Sequence, residues 1–177
     1  MRVSTPISLM AVALMLGSCA GEPPSGGHSV STEPVPDAPV SDVFDPGMRT
    51  VDGGTLDTST VTGPVVLWFW APWCVICRAE APHMAELNAE LLASESTVTF
   101  VGVAGRGDLS GMQGFVADTG VESMNHIADV EGVLWSQFGI ISQPALVFIS
   151  ADGDVDVVNG VLGQDQIRDT IDTLEGA

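Results

Sequence analysis

The chain has no lysine, and its five arginines stand against 23 aspartates and glutamates, a formal net charge of −18 over 177 residues. A chain this acidic cannot assemble the basic patch that neutralises phosphates, so nucleic acid and anionic lipid surfaces are excluded as partners. Solubility outside a cell is the bland reading of that charge, and attraction of a basic substrate is the other. Cysteine is scarce as well. There are three, Cys19, Cys74 and Cys77, and the histidines His28, His83 and His126 are scattered singly. A structural zinc site built on Cys74 and Cys77 would need two more ligands at suitable spacing, which the chain does not supply, so no metal and no cofactor are expected. Internal repeats are missing, and beyond residue 19 no apolar run is long enough to cross a bilayer.

What is present is organised around Trp68-Phe69-Trp70-Ala71-Pro72-Trp73-Cys74-Val75-Ile76-Cys77. Val65 to Phe69 reads as a buried strand, and a Pro-containing turn then delivers Cys74 to the start of a helix predicted to run to Leu92. At a helix N-terminus the free N–H groups and the positive end of the dipole stabilise a thiolate, and a cysteine so placed has a pKa of roughly 3.5 to 7.5. Cys77, one turn on, would be shielded and able to resolve a mixed disulfide. Strand, aromatic turn and helix agree with a redox use of the pair rather than a structural one.

The segment from Trp68 through Cys77 to Arg78-Ala79-Glu80-Ala81-Pro82 resembles the active-site segment of the thioredoxin superfamily, nearest its extracytoplasmic TlpA/ResA/DsbE-like branch. The resemblance covers about residues 43 to 175. It implies an α/β, thioredoxin-like fold with an N-terminal β-hairpin and a central insertion, and the activity of a thiol–disulfide oxidoreductase whose client proteins carry cysteines. Monomeric action is expected, as is an integral membrane electron donor.

Residues 1 to 18 combine Arg2, an apolar run from Ile7 to Leu16 and a small-residue site, the pattern of a secretory signal. Leu16-Gly17-Ser18-Cys19 is similar to a lipobox, which would make Cys19 the lipidated first residue of a mature protein on the outer face of the cytoplasmic membrane; an ordinary signal with an incidental cysteine, and secretion, is the alternative. Residues 19 to 42, rich in Gly, Pro, Ser and Thr, would form a tether with an end-to-end distance of roughly 25 to 30 Å. Residues 43 to 177 suit one domain.

Within that domain, Met48 to Leu56 with Asp52-Gly53-Gly54 reads as a hairpin. The long helix contains Pro82, which should kink it. Val98 to Ala104 is a second, central parallel strand. Leu109 to Thr119 and Val133 to Phe138 are predicted helices, Asn125 to Ala128 a short strand, Ala145 to Ser150 and Val155 to Val158 a hairpin, and Gln164 to Leu174 a final amphipathic helix with Ile167, Ile171 and Leu174 on one face. Arg106-Gly107-Asp108 spells an adhesion tripeptide, best explained by chance in a Gly-rich turn.

Further site residues follow partly from the resemblance. Pro144 stands where thioredoxin-like proteins hold a cis proline facing the cysteines, against the alternative of an ordinary strand-entry proline; a cis bond would leave the backbone of Gln143 free to pair with a substrate. Glu80 lies three residues beyond Cys77 on a face continued by Met84, Leu87 and Leu91. It is either a partly buried base for the Cys77 proton, with a raised pKa, or a solvated carboxylate at the helix dipole. Trp68 takes the position of a buried Asp found in many thioredoxins. Trp73 and Trp70 are expected to form an apolar rim around the disulfide, with core packing the other reading for Trp70. The reading favours a reductase. The alternatives are a disulfide-forming oxidase of the same family and a copper or haem-pathway metallochaperone that adds Met84 or His83 to the thiolates.

Overall fold

Six consecutive buried residues, Val65–Trp70, form β1 at the centre of the domain. Burial on both faces explains the unbroken apolar run, since a strand covered on each side has no solvent face to alternate with. The computed structural model describes residues 43–45 and 47–176. The signal segment, Cys19 and the tether lie outside the described residues.

The elements after β1 are α1 (Val75–Ala93), β2 (Thr99–Ala104), α2 (Leu109–Thr119), β3 (Asn125–Ala128), α3 (Val133–Gln137), β4 (Ala145–Ile149), β5 (Val155–Asn159) and α4 (Gln164–Glu175). They agree with the expected elements to within a residue or so at each end. The sheet order is β3-β2-β1-β4-β5. β2 is parallel to both β1 and β3, while β4 is antiparallel to β1 and to β5. This is the thioredoxin-like α/β fold, with β2 in the interior parallel position its apolar sequence predicts.

Alternation along β1 sorts the core. Val66, Trp68 and Trp70 face α1, α2 and α4, packing with Met84, Leu87, Met112, Phe115, Ile167 and Ile171. Val65, Leu67 and Phe69 face the other way, against Leu134 and Trp135 of α3 and Phe44 and Leu56 of the N-terminal segment. Helix α1 continues across Pro82, and Cys77, Glu80, Ala81, Met84, Leu87 and Asn88 form its buried side.

The expected hairpin at Met48 to Leu56 is reduced to a single bridge, Arg49 to Thr55. Its first arm instead extends the sheet edge: Thr50 bridges Ile127, and the Val51 N–H donates to the His126 carbonyl at 2.8 Å. The edge strand β3 offers unpaired backbone groups that a short free hairpin cannot match.

Candidate active site

The turn after β1 ends at Cys74, which is the N-cap of α1 rather than its first helical residue. Cys74 and Cys77 are joined as a disulfide, and the Cys77 N–H donates to Cys74 Sγ at 3.0 Å. A backbone donor aimed at this sulfur stabilises negative charge there when the bond opens. Cys77 is wholly buried and Cys74 is 5 % exposed, so in the disulfide form the attacking position is more enclosed than the sequence suggests.

Around the cysteines the surface is apolar. Trp73 is 60 % exposed, Val75 and Ile76 are exposed, and Ile141 is 79 % exposed. Trp73 is fixed by its indole N–H, which donates to the Arg106 carbonyl at 2.8 Å. Trp70 corrects the expected rim. It is fully buried, stacked on Phe115 with centroids 4.1 Å apart, and its Nε1 donates to His126 Nδ1 at 3.3 Å. His126 Nε2 in turn lies 2.9 Å from the Val121 carbonyl, and burial lowers the ring's pKa below its ordinary value, so the histidine is a neutral core group. The physical reason is register: even-numbered residues of β1 point to the helical core, while Trp73 has left the strand.

Glu80 is 8 % exposed, and its Oε2 accepts from Trp68 Nε1 at 3.0 Å. Burial raises its carboxyl above the ordinary value, and the indole donor offsets part of that rise. The glutamate is thus a buried carboxylate beside the Cys77 turn of α1, not a solvated one. Its partner was hidden in the sequence. Only the alternation of β1 signals it, by placing Trp68 on the face that meets α1.

The bond between Gln143 and Pro144 is cis, directly before β4. Gln143 is tied to the loop after β2: Arg106 donates from one terminal nitrogen to Gln143 Oε1 at 3.1 Å and from the other to the carbonyls of Ile140 and Ile141, each at 3.3 Å. The guanidinium lies 4.6 Å from the Trp135 ring centroid. Trp135 can pack this close because residue 105 is glycine, where a β-carbon would stand 2.2 Å from the indole nitrogen. Arg106 therefore belongs to the site, although nothing in a Gly-rich tripeptide announces it. Arg78 pairs with Asp118 at 3.3 Å, donates to the Pro72 carbonyl at 3.3 Å and lies 5.0 Å from the centroid of Phe115.

Met84 is buried in the core and His83 is exposed beyond it. Among the described residues no group of three His, Cys, Asp or Glu side chains converges as a metal site. A cavity of about 690 Å³ lined by Met48, Arg49, Leu109, Ile127, Val133 and Leu134 contains neither cysteine. The disulfide itself is enclosed, and the exposed apolar side chains beside it in sequence, Trp73, Val75 and Ile76, form its surroundings at the surface.

Comparison with known proteins agrees with this geometry. The model of the AhpC/TSA family matches residues 33–158. The chain is similar to the soluble secreted antigen MPT53 of Mycobacterium tuberculosis, 38 % identical over 129 residues that cover 71 % of this chain and 72 % of the relative. It is also similar to the thiol-disulfide oxidoreductase ResA of Oceanobacillus iheyensis, at 33 % identity over 71 % and 62 % of the two chains. Among solved structures, MTB DsbF in its mixed oxidised and reduced forms superposes with a TM-score of 0.68 at 38 % identity, covering 77 % of this chain and 98 % of that one.

Proposed function

The chain belongs to the AhpC/TSA family and is a thiol–disulfide oxidoreductase of the ResA and MPT53 kind, and on that premise we propose that it is exported and reduces disulfides in cysteine-bearing client proteins. The observation that carries the reading is a Cys-x-x-Cys disulfide at the N-cap of α1 with a buried glutamate one turn on.

Cys74 thiolate attacks a client disulfide, forming a mixed disulfide and releasing one client thiolate. Cys77, having passed its proton to Glu80, attacks Cys74 Sγ, closes the Cys74–Cys77 bond and releases the second client thiolate. The client gains two electrons and the protein loses two. Trp73, Gln143 and Pro144 line the path of the client segment, with the Gln143 backbone as its pairing edge.

The surroundings of the sulfurs support this direction. A strong oxidant needs its reduced thiolate well stabilised. Here Val75 and Ile76 offer no side-chain donor, the nearby cation of Arg78 is spent on Asp118, and the guanidinium of Arg106 is turned to Gln143 and the carbonyls of Ile140 and Ile141. Lipidation at Cys19, attachment to the outer membrane face and recharging by an integral membrane electron donor complete the reading; they rest on the sequence of residues 1 to 19 and on the family resemblance. Secretion in soluble form, as the name of the soluble secreted antigen MPT53 states for that protein, is the alternative outcome. Equilibration of the purified protein with glutathione mixtures tests the direction: the reductase reading expects a potential below about −180 mV, and a more positive value would make it a disulfide-forming oxidase.

A further inference from the structure

We propose that Arg106 is a specificity-determining residue, offering an uncompensated positive charge to the client segment beside Trp73 and Gln143 and so favouring clients with a carboxylate next to their reactive cysteine. The proposal rests on the thiol-exchange reading of the same site.

The chain carries 23 acidic residues against five arginines. Of the four arginines among the described residues, two are ion-paired, Arg78 with Asp118 and Arg168 with Glu90. Arg106 instead donates to three neutral acceptors, Gln143 Oε1 and the carbonyls of Ile140 and Ile141, so its charge is not cancelled. Two carboxylates of the helices that follow are engaged elsewhere. Asp108 caps α2, accepting from the Gly111 N–H at 2.7 Å, and Asp129 caps α3, accepting from the N–H groups of Val133 and Trp135.

The group is also held in place. Its plane lies over Trp135, its backbone stands in the left-handed region at φ 54°, and its carbonyl receives the Trp73 indole. A non-glycine residue kept in that region is uncommon and points to a positional demand. A guanidinium has five donors, and the three bonds leave others for a ligand. Because its rotamer is already fixed, little side-chain entropy is lost when a carboxylate arrives. It touches both walls of the client path, Trp73 through its carbonyl and Gln143 through its side chain. The exposed Trp73 and Ile141 supply apolar contact on either side, so the preferred segment combines an apolar residue with an acid.

The test uses the full reduced protein and three short peptides that differ only in an Asp, Asn or Lys beside a cysteine capped as its thionitrobenzoate disulfide. Release of the chromophore with protein in excess gives the second-order rate constant of a single turnover, in which the Cys74–Cys77 dithiol is oxidised as the peptide disulfide is reduced. On replacing Arg106→Gln, the ratio of Asp-peptide to Lys-peptide rates should fall about fivefold, the scale of an exposed but preorganised charge contact counted for both peptides. Arg106→Met, which keeps the apolar stem, should give the same fall, and Arg106→Lys should retain most of the ratio. An unchanged ratio in the uncharged variants overturns the proposal, and so does an equal loss for all three peptides, which would make Arg106 a support for the loop only. If the wild type releases no chromophore from any peptide, the thiol-exchange reading itself fails and takes this one with it.

Discussion

Replacing Glu80→Gln isolates the proton step, because the amide keeps an oxygen for the Trp68 indole and removes only the titration. An unassisted cysteine with a pKa near 8.5 is about 3 % thiolate at neutral pH. Supplying Cys77 with a base can therefore speed resolution by up to about 30-fold there. Glu80 is in reach: residues three apart on a helix have β-carbons about 5 to 6 Å from each other. The expected result is a 10- to 30-fold slower release of a preformed Cys74 mixed disulfide near neutral pH, shrinking toward no difference above about pH 9, where the thiol ionises unaided. Stopped-flow decay of a Cys74–thionitrobenzoate adduct measures it. Identical pH profiles for variant and wild type would refute the role.

The same substitution carries a stability signature of definite sign. A carboxyl whose pKa is raised on folding binds more protons in the native than in the unfolded state, so stability falls as pH rises between its ordinary value and its raised native value. The burial cost is absent below that window and complete above it. Glu80→Gln should gain on the wild type through the window in urea titrations; a variant that loses ground as pH rises would contradict the buried placement.

In the reduced protein Cys74 should be alkylated about tenfold or more faster than Cys77, since it has the helix-end donor and the greater exposure; peptide mapping after a short iodoacetamide pulse reads this, and equal labelling reverses no role but removes both. Gly102→Ala should cost about 1 to 3 kcal/mol in chemical denaturation, because a methyl there would stand 2.0 Å from His126 Nδ1 and 3.0 Å from Trp70 Nε1, two buried rings with no room to retreat. A neutral result would mean that the Trp70–His126 pair is free to shift. Cys19→Ala should misprocess or release the exported protein, and globomycin should block maturation of the wild type; a mature N-terminus at another residue rules the lipobox out.

The sequence by itself determined the elements and the chemistry of the cysteines. Strand period, the Pro-containing turn and the i, i+3, i+4 spacing are local properties, and they place Cys74 at a helix start and Glu80 on the face of Cys77 without reference to any distant residue. Tertiary structure decided what those side chains meet. Trp68 and Glu80 are 12 residues apart, Trp73 and Arg106 are 33, and Arg106 and Gln143 are 37, separations across which no local pattern carries information. Three tryptophans within six residues look alike on paper. Only the sheet register buries Trp68 against a carboxylate and Trp70 against Phe115 and His126, while the turn beyond β1 leaves Trp73 open beside the disulfide. Arg106 shows the same limit from the other side: a tripeptide without meaning as a word becomes a fixed cation, because the crossover from β2 to α2 brings it over Trp135 and against the loop before β4.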